Sequence, residues 1–464
     1  SPPALKPRPL RRADVLAWLD SRVNFERQVP SGPGGARSFG LGRMRRLLAL
    51  VGSPQRSFPV IHVAGTKGKG STVAMIAAIL ERSGLKVGRY LSPHVHRLEE
   101  RICVDSRPIP AVGLERSFAA VIPAVERIDR DAARRGARGP TWFEAVTAAA
   151  FDHFARERVD VAVLETGLGG RLDATNVCRP LVSVITPVSL DHTAVLGPTV
   201  RHIAAEKAGI VKRGCPVVCG ARDAEARAVI AETARRRRAP LFLVDRDYRA
   251  DYDPPADPSL LDGGTLRYTP LRGAGAAPAD SYRLAMAGAH QADNAGMAVA
   301  TVRLLAARGT SVPESAVRRA LASVRLPARI ERIDTRPLVV VDAAHNAASM
   351  RSLVGAIEGA IDTTRRRGAP AVLVFAASAD KAVEEMLAIV AGRFDRVVVT
   401  RSATSPRAAP IDRLLAACAA AGLPRPLAAE HPAEALAIAR KAAGPRGMVC
   451  VAGSFFLAGE IGAG

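Results

Sequence analysis

A chain of 464 residues with 48% hydrophobic and 24% charged residues has the composition of a folded protein, and its length exceeds what one hydrophobic core usually serves, so two domains are expected. No apolar run reaches the roughly 18 residues of a membrane-spanning helix, and the opening S-P-P-A-L-K-P-R-P-L lacks the apolar centre of a secretory signal and reads as a disordered tail over residues 1–10. The net charge of +22 is spread along the chain and aromatic residues are only 4%, so neither a nucleic acid nor a membrane is expected as partner, and anionic small molecules account for the basic character equally well.

The first predicted element is a helix over residues 13–23, where apolar residues recur at helical spacing. A glycine-rich loop from Ser31 to Gly42 follows, and M-R-R-L-L-A-L-V resumes the helical pattern. F-P-V-I-H-V-A-G then reads as a buried parallel strand that runs into a glycine-rich turn. From Ser71 a helix extends to Gly84. Further strands are predicted at Val159 to Glu165, Leu181 to Thr186, Pro216 to Cys219 and Leu241 to Val244, with a helix over Phe143 to Arg156. That order describes an α/β domain with a mostly parallel sheet. Residues 249–283, rich in Pro, Asp and Gly, read as loops and short antiparallel strands, and helical stretches follow at 289–308 and from Glu314 to Val324. After a linker over Arg325 to Arg329, the runs P-L-V-V-V-D, A-V-L-V-F-A, R-V-V-V-T and G-M-V-C-V-A-G alternate with helical stretches, which describes a second, smaller Rossmann-like domain. The expected division is therefore residues 1–324 and 325–464. The short basic runs Arg235 to Arg238 and Arg365 to Arg367 read as solvated helix faces. Six cysteines in so long a chain make no disulfide framework, and Cys215 and Cys219 lack the second ligand pair of a zinc site, so reduced, buried thiols are expected.

The segment with the clearest chemistry is G-T-K-G-K-G-S-T, Gly65 to Thr72, between the predicted strand and helix. Glycines let backbone N–H groups approach phosphate oxygens, the helix N-terminus favours an anion, and Lys67 and Lys69 supply cations. Gly70 separates Lys69 from Ser71, so the segment departs from the standard phosphate loop G-x-x-x-x-G-K-[ST]. A flexible surface turn is the alternative. Glu165 closes a strand and precedes a glycine turn, where α/β sheets present ligand-binding residues, although a merely solvated carboxylate fits that position too. For Lys207 an exposed, ion-paired lysine is the plain reading of a helical segment.

G-T-K-G-K-G-S-T resembles the nucleotide loop of the folylpolyglutamate synthase/dihydrofolate synthase family, which belongs with the Mur ligases. Further segments resemble that family in its own order: N-F-E-R and F-G-L-G-R-M upstream, then S-P-H-V-H-R-L-E-E-R-I from Ser92, T-W-F-E from Thr141, E-T-G-L-G-G-R-L-D-A-T-N from Glu165, S-L-D-H from Ser189, A-E-K-A-G-I-V-K from Ala205, H-Q-A-D-N from His290, P-A-R-I-E from Pro327 and D-A-A-H-N from Asp342. The 64 residues before the loop are too few for the nucleotide-sugar domain that precedes it in Mur enzymes.

The resemblance implies an N-terminal ATPase domain of phosphate-loop type and a Rossmann-like C-terminal domain. It implies ATP bound by Thr66, Lys67, Gly68, Lys69, Gly70, Ser71 and Thr72, with Asn294 facing adenine and Arg329, Asp342 and His345 contacting the nucleotide, so that catalysis requires domain closure. It also implies Mg²⁺ held by Ser92, Glu165, His192 and Lys207, with room for a second divalent or a monovalent cation. Hydroxyl and carboxylate oxygens suit Mg²⁺, whereas an ammonium does not, and in the family the lysine matching Lys207 is carbamylated. Lys69, Glu165, His192 and Lys207 are the implied catalytic residues. The implied reaction is that of a cytoplasmic, monomeric ligase: the carboxylate of dihydropteroate or a reduced folate attacks the γ-phosphate of ATP, and L-glutamate's amine displaces phosphate from the acyl phosphate. A Mur-type amide ligase and a non-catalytic nucleotide-binding regulator are the alternatives. S-P-H-V-H-R and T-W-F-E lie where relatives contact the pterin, but Phe143 and Glu144 fit a core aromatic and a helix charge equally well.

Overall fold

In the computed structural model, three sheets form among the described residues, which are 10–26, 40–257, 259, 261–271, 279–424 and 426–462. Residues 1–9 of the expected tail and 31–39 of the expected glycine-rich loop lie outside them. The first sheet contains β1 (Val60–Ala64), β2 (Val87–Tyr90), β3 (Ile102–Val104), β4 (Arg107–Pro108), β5 (Val161–Glu165), β6 (Pro180–Ile185), β7 (Val217–Cys219) and β8 (Leu241–Leu243). Their spatial order is β4-β3-β2-β5-β1-β6-β7-β8. β1, β2, β5, β6, β7 and β8 pair in parallel, and β3 and β4 add an antiparallel edge. The central β1 and β5 are buried along their whole lengths, as strands covered on both faces must be. His62 interrupts the apolar run of β1, and its Nε2 meets Thr175 Oγ1 at 2.8 Å. Burial, reinforced by the charge of Lys212, pushes its pKa down to about 3 and keeps the ring neutral.

The second sheet is an antiparallel meander of β9 (Tyr248–Asp253), β10 (Thr265–Pro270) and β11 (Asp280–Arg283), within the region expected to hold short antiparallel strands. The third contains β12 (Glu331–Thr335), β13 (Leu338–Val341), β14 (Ala371–Phe375), β15 (Arg396–Val399), β16 (Leu427–Ala428) and β17 (Met448–Ala452). Its order is β12-β13-β17-β14-β15-β16, parallel apart from β12. The four expected strands are β13, β14, β15 and β17; the edge strands β12 and β16 are additions.

The chain divides into two compact units. One takes the described residues of Ser1–His94, Leu98–Leu243 and Ala300–Pro313, and the other those of Val95–Arg97, Val244–Val299 and Glu314–Gly464. This differs from a cut at 324/325 for a packing reason. Leu261 and Ala287, from the region of the meander, are buried in the same apolar cluster as Ile330, Met350 and Leu353 of the C-terminal part. Among the described residues, no helix is long and apolar enough to cross a membrane.

Candidate functional site

The first unit brings its functional candidates together at the C-terminal ends of adjacent strands, where open α/β sheets bind ligands. Val63 of β1 lies in register with Glu165 of β5, and β1 runs between β5 and β6. The residues after β1 are therefore flanked by Glu165 on one side and by the segment after β6 on the other. Gly65 has φ +155°, and a Cβ there would lie 1.8 Å from Thr186 Oγ1, so the loop needs glycine at this point. Gly68, with φ +80°, is the N-cap of the helix Lys69–Arg82. The helix begins two residues before the expected Ser71, so Lys69 to Ser71 aim their N–H groups at the loop, and Thr72 N–H closes the first turn on Gly68 O at 2.9 Å.

The loop is pinned from β6. Thr186 donates its hydroxyl to the Lys67 carbonyl at 2.5 Å, the Thr66 amide donates to Pro187 O at 3.0 Å, and the Ser189 amide donates to Thr66 Oγ1 at 3.1 Å. On the other side the Glu165 side chain is buried. It accepts the Ser92 amide at 3.1 Å, and its other oxygen lies 3.8 Å from Lys69 Nζ. A Cβ on Gly70 would be 3.4 Å from the same carboxylate. Ser92, Glu165, Lys69 and Gly70 thus form one cluster at the helix N-terminus, with carboxylate, ammonium and backbone N–H groups side by side.

Lys207 is buried and not the exposed lysine of the plain reading. Its Nζ donates to Gly65 O at 2.7 Å. Burial first, and then the charge of Lys69, push its pKa down to about 7, while Asp191 and Asp173 oppose the fall. The turn after Glu165 packs against the end of this helix, Val200–Ala208: the Arg171 amide donates to Glu206 O at 2.7 Å, and a Cβ on Gly170 would lie 2.8 Å from that same oxygen. Asp173 shapes the turn by accepting the amides of Gly167 and Leu168 at 2.9 and 3.0 Å. His192 follows β6 with φ +49°. Its ring is 46% exposed and stands 3.9 Å from Asp191 Oδ1, so it lies on the same edge of the sheet but on the open part of the loop.

T-W-F-E is a helix start. Thr141 and Glu144 make a reciprocal capping box, as the [ST]-x-x-E spacing allows, and Glu144 also pairs with Arg43 at 3.3 Å. The Phe143 ring lies 6.1 Å from that of Tyr90. Arg101, fully buried, donates to both oxygens of Glu26 at 2.8 and 2.6 Å and to His94 Nδ1 at 2.8 Å, and its guanidinium lies 4.7 Å from the Trp142 ring centroid. The N-F-E-R, S-P-H-V-H-R and T-W-F-E segments therefore meet at one buried arginine.

In the second unit, Asp342 follows β13 and is buried. It accepts the amides of Ile330 at 2.9 Å and Ala344 at 2.8 Å, which ties the P-A-R-I-E segment to the end of the strand. Burial raises its pKa, with Arg329 opposing. His345 Nδ1 contacts Ala343 O at 2.9 Å, and its ring centroid is 5.2 Å from that of Phe455. Arg329 lies over the same ring at 5.2 Å. Phe455 thus serves both residues as a shared wall; sequence reasoning passed over it, although a Phe-Phe pair just after a strand and the turn Gly453-Ser454, in a chain so poor in aromatics, was a usable signal. Thr186 was missed for a different reason, because only the fold brings it to the loop. Asn294 is buried in the helix Ala289–Ala306 and donates to Gln291 Oε1 at 3.0 Å.

A glycine loop with two lysines at a helix N-terminus, beside a buried carboxylate at the next strand end, defines a phosphate-binding α/β protein. Comparison with known proteins supplies the family. Residues 328–455 match the Mur ligase, glutamate ligase domain. A dihydrofolate synthase/folylpolyglutamate synthase of Mycobacterium tuberculosis is 38% identical over 411 residues, covering 86% of this chain and 82% of that protein. A folylpolyglutamate synthase of Lacticaseibacillus casei is 36% identical over 374 residues, 80% of this chain and 83% of that one. The crystal structure of Mycobacterium tuberculosis folylpolyglutamate synthase complexed with ADP and AMPPCP superposes with a TM-score of 0.84 at 34% identity, covering 97% of each chain. The chain belongs to the folylpolyglutamate synthase/dihydrofolate synthase family.

Proposed function

We propose that this protein joins L-glutamate to dihydropteroate or a reduced folate at the expense of ATP, through an acyl phosphate. The observation that carries the reading is the cluster of Lys69, Gly70, Ser92 and Glu165 at the first turn of the helix after β1. The N–H groups of Gly68 to Ser71, the Thr72 hydroxyl and the ammonium groups of Lys67 and Lys69 would hold the β- and γ-phosphates, and they would stabilise the charge that builds as the γ-phosphoryl group transfers. Asn294, Arg329, Asp342 and His345 are assigned to the nucleotide on the strength of the family resemblance.

The donor set fits Mg²⁺ in part. Among the described residues, no group of three or more His, Cys, Asp and Glu side chains makes a ready metal site. Glu165 is a hard oxygen donor beside the phosphate loop and Ser92, which carries a second, lies against it through its amide, so Mg²⁺ bound there would be held mainly by phosphate and water, as is usual for that ion. When bound it supplies charge neutralisation to the transferring phosphoryl group. Lys207 donates to Gly65 O as a free amine and gains oxygen donors only as a carbamate; a pKa near 7 leaves the neutral amine that carbamate formation needs. His192, on the exposed stretch of its loop, is assigned to the same ion on the resemblance alone. All six cysteines are buried thiols, which suits a reducing, cytoplasmic compartment.

The test is ADP release by purified protein supplied with ATP, Mg²⁺ and bicarbonate. Release is expected only when a pteroate compound and L-glutamate are both present. Dihydropteroate and tetrahydrofolate, assayed separately, decide which acceptor is used. ADP release indifferent to both organic substrates would refute the ligase reading, and ATP binding with no ADP release under any condition would favour a non-catalytic regulator.

A further inference from the structure

The last helix, Phe455–Gly462, carries Phe455 in its first turn and Glu460 one and a half turns later. Phe455 is the wall against which Arg329 and His345 lie. The helix is short, and eight residues do not hold themselves in place without tertiary contacts. Glu460 supplies a set of such contacts. Its carboxylate accepts the hydroxyl of Ser402, the amide of Ala403 at 3.2 Å, and the amide and hydroxyl of Thr404 at 3.0 and 2.6 Å. All four donors sit on the loop after β15, and that loop is itself folded by the Ser405 amide, which donates to Ser402 Oγ at 3.1 Å. Hydrogen bonds to an ionised carboxylate are about twice as strong as neutral ones, so four of them make a firm fastening for one helix.

We propose that Glu460 is a positioning residue for the ligation reaction: its carboxylate latches the last helix to the Ser402–Thr404 loop and so holds Phe455 where it orients Arg329 and His345. The idea rests on the reading above that Arg329 and His345 serve the nucleotide. Glu460 touches no reacting atom. Its influence runs through the helix to an aromatic ring, and through that ring to a guanidinium held by a cation–π contact, which prefers the ring face.

The latch can be broken from either side. Glu460→Ala removes the acceptor, whereas the double variant Ser402→Ala/Thr404→Val removes the two hydroxyl donors and leaves Glu460 in place. In both, hydrogen exchange of the amides from Phe455 to Gly462 should accelerate while the rest of the chain keeps its protection. The KM for ATP should rise about tenfold with kcat changed less than about twofold, because binding is lost and not chemistry. Glu460→Gln, which keeps one acceptor oxygen, should fall between these variants and the parent. Arg329→Ala serves as the control. Unchanged exchange in the last helix would overturn the latch. So would faster exchange with an unchanged KM, if Arg329→Ala raises KM. Should Arg329→Ala itself leave KM at the parental value, the nucleotide role of Arg329 fails first, and the positioning role of Glu460 fails with it.

Discussion

Replacing Lys207 by Met should abolish a pH dependence of stability that the parent protein carries. Burial, with Lys69 adding to it, pushes the folded-state pKa of this amine down to about 7 from the ordinary value of 10.5 that it regains in the unfolded chain. Between those values the unfolded state binds more protons than the folded one, so this lysine makes stability rise with pH. Its penalty is full below pH 7 and is relieved as the pH climbs toward 10.5. The full slope is about 1.4 kcal/mol per pH unit. With the folded amine half protonated near pH 7, the step to pH 8 contributes about 1 kcal/mol, and the next unit slightly more. Urea unfolding of parent and Lys207→Met in CO₂-free buffers near pH 7, 8 and 9 measures the difference. The parent should gain on the variant at each step, and bicarbonate should stabilise the parent alone, because carbamate forms from the neutral folded amine. A stability difference that stays flat over this range would refute the reasoning and show Lys207 to be charged in the fold.

Lys69→Ala and Glu165→Gln should each lower kcat by about a hundredfold or more, the usual cost of removing a charge-stabilising group at a phosphoryl-transfer site; near-parental turnover in either, with unchanged circular dichroism, would remove that residue from the chemistry. Lys207→Ala should lose ligation, and short carboxylic acids should restore part of it by lending oxygen donors, which a titration of activity with acetate or propionate measures. Gly65→Ala places a methyl group 1.8 Å from Thr186 Oγ1, so the loop must shift, and nucleotide affinity by calorimetry should fall more than the melting temperature does. Asp342→Ala leaves two buried amides, those of Ile330 and Ala344, without their acceptor; a loss of about 2 kcal/mol or more is expected in urea unfolding.

Mainly apolar runs were readable in the chain because strands buried on both faces have no polar face to confuse the pattern. V-I-H-V-A, V-A-V-L-E and M-V-C-V-A became β1, β5 and β17. β2, β3 and β4 escaped notice because V-G-R-Y, I-C-V and R-P are too short and mixed to show a period, and β12, E-R-I-D-T, is a half-exposed edge strand with no apolar run, just past the expected linker. The phosphate loop was legible as local chemistry. What surrounds it was not: Thr186, Pro187 and Ser189 reach the loop only because β6 pairs beside β1. Lys207 shows the same limit. One lysine in A-E-K-A-G looks like any surface lysine until the packing of the helix end against the glycine turn buries it.

The discontinuity of the first unit bears on how the protein is made. Up to Leu243 its chain is contiguous apart from three residues, but its final piece, Ala300–Pro313, is synthesised only after the excursion through Val244–Val299. Val302 and Leu305 of that piece are buried, and Arg308 reaches the Leu181 carbonyl at 3.5 Å. A ribosome moving at roughly 5–20 residues per second needs several seconds to pass from Leu243 to Pro313. Throughout that interval the nascent first unit lacks its last piece, so its completion waits on a stretch of chain that belongs to the other unit.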